Sequence, residues 1–530
     1  MQKVTDVLKR TEWISLAHKH TYHFCVVCLS IYLSYVAYFA NSSFGISLPS
    51  TVRSFIFFGV CAVLFYYVLN LLCKWSLQQN KLNFVTQKRY FSWRFFSISV
   101  FISVIILLMT LLAHYPGGVS YDAYNQWSQI QSGQYNNWHP VFHTLLIKLI
   151  VSIYNNYTFV ITVQIFFFAF ALAYLMTTIY RYGFSKMLLL GMQILILLSE
   201  PVSNPLMYVW KDCAFTIGML VLCTYCVRIY YTRGKWLFNF RNCIMLGIVL
   251  AVNTLIRHNA ILISVPLLIW LFFTVWIYRK NILITAITFI VCVVSVQEVL
   301  IPQFDVVYPD NFVEESVGLP MTLLCNQKKI DERLLEPECN QFLDSLADEQ
   351  TWNNKYVLDE YNSIKFTYPR EMIKYTEPMR ILLWAADVAV KNPRLAFETF
   401  NNVTDLVWGI SNANEAYEAV KNSNHISSAQ SQNSTLNKLG KTALTFFRAP
   451  LSFIPLEYIF NNIGTQLLIL LLMTLIALYR SGPISVLFAV PILCYHLATM
   501  LLLCGQDARF FAFSMVTMLP SALVLTKKPE

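Results

Sequence analysis

Four small groups of ionisable residues stand at the ends of apolar segments, and their types are those of acid–base and phosphate chemistry. Asp122 lies in YPGGVSYD, with His139 and His143 following in WHPVFHT. Lys211 and Asp212 adjoin in YVWKDCAF, Arg257, His258 and Asn259 close LIRHN, and Asp507 and Arg509 stand in CGQDARFF. A carboxylate can act as general base, orient a substrate or bind a metal ion, while Lys and Arg can neutralise a phosphate. A charge beside hydrocarbon is costly unless something compensates it, so such groups are functional until shown otherwise. Each also has a structural reading. Asp122 could be a solvated loop residue, Lys211 and Asp212 interface markers, and Asp507 and Arg509 a simple ion pair. The histidines could be packing or hydrogen-bonding residues rather than ligands.

The elements that must position these groups are membrane spans. Of 530 residues, 56% are hydrophobic and 13% charged, and mean hydropathy is +0.51. That composition excludes an ordinary soluble enzyme and describes an all-α polytopic protein of the lipid bilayer. The net charge of +10 sits mostly in short linkers between apolar runs, where it sets orientation, so no nucleic-acid partner is read from it. The 13 cysteines form no regular framework, and Cys61, Cys223 and Cys292 lie inside apolar runs. Cys325 and Cys339 could bridge if their segment is external.

Charge asymmetry orders the chain. Lys74, Lys81, Lys88, Arg89 and Arg94 mark a cytoplasmic linker, as do the basic linkers Arg181–Lys186, Thr232–Asn242 and Arg279–Asn281. The segment Tyr115–Thr144 has no Lys or Arg and is expected outside, with Ser199–Asp212 and Arg257–Asn259 on the same side. Parity then requires Val141–Tyr154 to lie along the external interface, with Lys148 reaching the headgroups. The reading is about twelve spans with both termini cytoplasmic. It divides the chain into an N-terminal segment with two added spans (1–94), a core (95–301), a mainly helical external domain (302–445) and C-terminal spans (446–530). Asn422–Ser434 is Asn/Ser-rich and reads as a flexible part of that domain.

An external loop with an aspartate (YPGGVSYD), then HP before an interfacial helix (WHPVFHTLL), then a later KD (WKDCAF) resembles the GT-C superfamily of integral membrane glycosyltransferases. Arg257 with Asn259, and Asp507 with Arg509 and Phe510 before the last span, resemble an uncharacterised bacterial branch of it. The resemblance covers roughly Phe96–Asn259 and the final spans. It implies transfer of a sugar from a polyprenyl-phosphate donor to an acceptor hydroxyl on the outer face, with inversion. Asp122 would be the base and Asp212 the second acid, assisting the acceptor or a divalent metal such as Mg or Mn, which some members do without. Lys211, Arg257 and Arg509 would hold the donor phosphate, while His139, His143, Asn259 and Asp507 would orient the acceptor. A cell-envelope glycopolymer, such as a teichoic acid or surface polysaccharide, is the acceptor the resemblance implies. His139 is followed by one proline where many relatives have two, which bears on the acceptor contacts. A lipid-linked-sugar flippase and a polysaccharide polymerase or ligase are the alternatives.

Overall fold

The computed structural model describes residues 2–43, 51–79, 89–308, 316–365, 367, 378–410 and 435–529. Lys81, Lys88 and the stretch Asn422–Ser434 lie outside the described residues. Among those described, the elements are helices joined by short turns, with three isolated β-bridges and no strand. The chain is an all-α polytopic membrane protein. By length and composition eight helices can cross a bilayer: Lys19–Phe39, Ser54–Ser76, Trp93–Ala113, Tyr157–Arg181, Lys211–Tyr231, Trp276–Phe304, Ile463–Ser481 and Pro483–Met500. Lys186–Leu198 and Glu200–Met207 form a pair bent by 73° that would make a ninth. Three further expected spans coincide with the shorter apolar helices Phe240–Ile256, His258–Thr274 and Ala508–Val524.

The main helices are α1 (Gln2–Ser43), α2 (Thr51–Gln79), α3 (Trp93–Ala113), α4 (Tyr121–Ser132), α5 (Val141–Val151), α6 (Tyr157–Arg181), α7 (Lys186–Leu198) and α8 (Lys211–Tyr231). They continue as α9 (Phe240–Ile256), α10 (Ile261–Thr274), α11 (Arg279–Ser295), α12 (Gly318–Asp331), α13 (Pro393–Trp408), α14 (Thr435–Arg448), α15 (Ile463–Ser481), α16 (Ala489–Met500) and α17 (Ala512–Val524). At 11 residues α5 is about 17 Å long, too short to cross a hydrocarbon core of about 30 Å. Its Lys148 ammonium lies over the rings of Tyr135 and Phe304, at 5.0 and 5.2 Å.

Burial separates the core from its additions. In the central span Lys211–Tyr231, 72% of the most apolar window is buried, against 6% for Ser54–Ser76. The second helix is therefore clad in lipid, and it meets the bundle through α1 and α15. Where lipid is as apolar as leucine, helices adhere through close backbone approach and buried hydrogen bonds. A Cβ on Gly247 would overlap Thr285 and Thr288 of α11. Between α3 and α7, Ser99 Oγ donates to Gln193 Oε1 at 2.6 Å, while Gln193 Nε2 donates to Ser99 O (2.8 Å) and Ser103 Oγ (2.7 Å).

Two ends of the bundle differ in chemistry. At one, basic linkers meet: Arg89 N donates to Arg181 O (2.8 Å), Lys527 Nζ to Gly183 O (2.9 Å) and Arg480 Nη2 to Leu525 O (2.7 Å). At the other sit the short helix α4 and a helical unit containing α12 and α13, the latter also packing Val403, Leu406, Val407 and Trp408 into the main core. That unit has its own core, built on Met321, Leu324, Leu343, Tyr361 and Ile381. Cys325 and Cys339 are buried there as free thiols. The helix α14, which the sequence boundary at 445 divides, packs on α3 instead: a Cβ on Gly440 would meet Ala113, and Asn437 Nδ2 donates to Tyr115 O at 2.9 Å.

Candidate active site

The loop after α3 is zipped to the segment before α8 by backbone contact that only glycine permits. Gly117 has φ 117°, a conformation other residues rarely adopt. Gly118 N donates to Met207 O at 2.9 Å, and the Tyr208 ring occupies the space a Gly118 side chain would take. Tyr157 Oη donates to Gly118 O (2.8 Å), and Gln164 Nε2 donates to the carbonyls of Leu206 and Tyr208 at 3.0 Å. Ser120 then caps α4: its Oγ accepts from Ala123 N (3.2 Å) and from Trp210 Nε1 (2.5 Å). Asp122 falls in the first turn of α4, and Asp212 in the first turn of α8, where a helix dipole favours an anion. One zipper thus fixes both acids relative to each other.

Five of the expected side chains form a connected chain. Arg509 Nη1 donates to Asp122 Oδ2 at 2.9 Å, and Arg509 Nε lies 2.6 Å from Asp507 Oδ2. His139 Nε2 is 3.9 Å from Asp122 Oδ1, and His139 Nδ1 is 3.2 Å from Lys211 Nζ. Asp507 also caps its own 3-10 turn, accepting from Arg509 N at 3.0 Å. Burial alone would raise the Asp122 carboxyl, but Arg509, His139 and Lys211 outweigh it and hold the group down to about 2.

Beside this chain sits a sealed pair, Asp212 with Arg257, their side chains 4% and 6% exposed. The Arg257 guanidinium lies 5.0 Å from the Phe510 ring, 5.7 Å from Tyr495 and 5.8 Å from Phe215. Arg509 approaches Phe510 at the same 5.0 Å and Trp210 at 5.2 Å. Phe510 therefore joins the two guanidinium systems, and all four sequence groups converge at one end of the bundle.

Two expected residues stand back from this centre. His143 is buried on α5 against Gln126, its Nδ1 3.1 Å from Gln126 Nε2 and 3.2 Å from Oε1. Burial, then Lys211 and His139, push its imidazole down to about 3, so it is a neutral neighbour of the site. Among the described residues no hydrogen bond or ion pair ties the Asn259 side chain to the others. A divalent metal does not fit this arrangement. Each of the three acids is engaged by a guanidinium, and among the described residues no group of three or more His, Cys, Asp or Glu could hold an ion.

Residues that sequence reasoning passed over complete the surroundings. Trp210 is legible in the sequence only as an aromatic neighbour of charged positions, and Phe510, though part of the Asp507–Arg509–Phe510 motif, gives no sequence sign that it joins the two guanidinium groups. A second polar contact lies at the bend after α7, where Arg448 of α14 meets Glu200 (3.0 Å), Ser203 Oγ (2.8 Å) and Asn204 Oδ1 (3.1 Å). No family model, curated protein or solved structure matches the chain.

Proposed function

We propose that the chain is an integral membrane glycosyltransferase of the GT-C kind, moving a sugar from a polyprenyl phosphate to an acceptor hydroxyl of a cell-envelope glycopolymer. In this reading the bundle has about twelve spans, the basic end is cytoplasmic and the acidic end opens outside. The observation that carries the proposal is the meeting of Asp122 with Arg509, His139 and Lys211 beside the Asp212–Arg257 pair. A carboxylate surrounded by fixed cations at a bilayer surface suits a phosphate headgroup whose tail remains in lipid.

The reaction needs three events. The acceptor oxygen attacks the anomeric carbon, Asp122 takes the hydroxyl proton, and the bond from that carbon to the phosphate oxygen breaks with its electron pair leaving on the polyprenyl phosphate. Cations preorganised at the developing charge lower this barrier most. Arg509 is the key partner, because it is shared by Asp122 and Asp507 and is only partly buried, with side-chain exposure of 20%. An incoming phosphate competes for that guanidinium. As Arg509 turns to the donor, the group that most depresses Asp122 is withdrawn, and the carboxylate gains basicity when a substrate is in place. Asp212 is committed to Arg257 and acts by holding that guanidinium, rather than by touching the acceptor.

The test is transfer from a short-chain polyprenyl-phosphate hexose by purified protein in lipid, with product analysis. Full activity of Asp122→Asn overturns the reading. A flippase is favoured by one observation, the 73° break between Lys186–Leu198 and Glu200–Met207, since broken spans are common in transporters. Movement of the intact donor between leaflets without sugar transfer would select it.

A further inference from the structure

The segment that carries Asp507 and Arg509 is shaped less by its own span than by the helical unit. Leu319 N donates to Leu501 O (3.4 Å), and Asn362 N to Cys504 O (3.2 Å). Gln506 Nε2 donates to Asn402 O at 2.5 Å and also meets Asp405 Oδ1. The buried Lys365 places its ammonium 3.7 Å from Cys504 Sγ, and Cys504 belongs to the unit's own apolar core. A Cβ on Gly318 would overlap the backbone of Leu502 and Leu503. Every residue from 501 to 506 therefore leans on this unit, and Arg509 follows three residues later.

Within this contact Glu360 stands out. Its carboxylate occupies the space where a Gly505 side chain would begin, and burial, with the charge of Asp507 adding to it, raises the Glu360 carboxyl. Among the described residues no cation pairs with it. Asp507 in turn holds Arg509 by its Nε and its backbone N–H. A shift of Gly505 would pass along two peptide units to Asp507 and from there to the guanidinium.

We propose that Glu360, seated on Gly505, is a positioning residue through which the helical unit sets where Arg509 points. The unit thereby becomes part of the phosphate-binding apparatus. This rests on the donor reading given above, and the experiment separates the two.

The probe is farnesyl phosphate, with its binding to the full chain in detergent micelles measured alongside the thermal midpoint. Arg509→Ala is expected to weaken binding by about a hundredfold. Glu360→Ala should weaken it about tenfold at an unchanged midpoint, and Glu360→Gln, which keeps the shape and hydrogen bonding, should restore it to within about twofold. Gly505→Ala is the second variant. Its new methyl displaces the flexible end of Glu360, whose carboxylate is what it meets first, so it should reproduce the loss seen with Glu360→Ala even if that variant folds poorly. If Arg509→Ala binds farnesyl phosphate as the wild type does, the donor reading fails. If Arg509→Ala weakens binding and neither Glu360→Ala nor Gly505→Ala does, the donor reading stands and the positioning role is overturned. Loss of midpoint with unchanged affinity in the folded fraction also overturns it, because that is what a merely structural contact gives.

Discussion

The two acid–guanidinium pairs of the site are alike in chemistry and opposite in setting. Asp122 and Arg509 belong to short elements at one end of the bundle, and their side chains are 32% and 20% exposed. Asp212 lies in the first turn of α8, Arg257 ends α9, and both are nearly sealed from solvent. An open pair can exchange partners at little cost, whereas a sealed pair cannot, since freeing either member leaves an uncompensated charge in a low-dielectric interior. The difference divides the labour: the open pair is suited to act on a substrate, and the sealed, net-neutral pair to brace the ends of α8 and α9 beside it.

The largest effect should come from splitting the sealed pair. Arg257→Leu leaves Asp212 buried without its cation and is expected to cost about 3–5 kcal/mol, seen as loss of monodisperse protein in detergent. Adding Asp212→Asn should recover much of it, and a single variant as stable as the wild type would break the contrast. Next comes Asp122→Asn, which should lower transfer by at least ~100-fold with the melting midpoint in detergent retained, because its partner Arg509 still has Asp507. A third test uses pH. Asp122 is depressed to about 2, so it stays ionised, and its ion pairs stay intact, until pH falls through that value. In Arg509→Gln the carboxyl should protonate nearer the ordinary ~3.9, and the acid limb of the transfer rate should move to higher pH. An acid limb unmoved by the change would mean that Arg509 does not govern Asp122. The smallest effect is expected from Gly118→Ala, whose methyl must push Tyr208 aside at a cost of about 1–3 kcal/mol. It should disturb the open pair while Asp212 and Arg257 stay in place, read as lost activity with a modest fall in midpoint.

Much of the architecture was legible in the sequence because its cause is local. Apolar runs of span length and the sidedness of basic linkers need no tertiary information, and the four charged groups could be placed at one end by counting crossings. What sequence could not supply was partnership. Nothing in WKDCAF says that Asp212 pairs with Arg257 rather than with its neighbour Lys211. Nothing in CGQDARFF says that Arg509 reaches back to Asp122. These choices are made by long-range packing, by the zipper at Gly118 and by the ring of Phe510. The bend after α7 escaped notice for a related reason. Ser199–Asp212 is polar and Pro-containing and reads as a loop rather than as further short helix, and the turn is set by Pro201 and Pro205 together with the Arg448 contact from 245 residues away in sequence. The amphipathic helix α14 was likewise read as domain or surface, because its buried stripe of Asn437, Gly440 and Leu444 is too polar to announce a partner.

That helix is fastened at both ends, by Asn437 to the Tyr115 carbonyl and by Arg448 to the bend at Glu200. A rod pinned in this way works as a strut. Any tilt of the broken helix pair is handed directly to the start of the loop that holds Asp122, so those two regions move together or not at all.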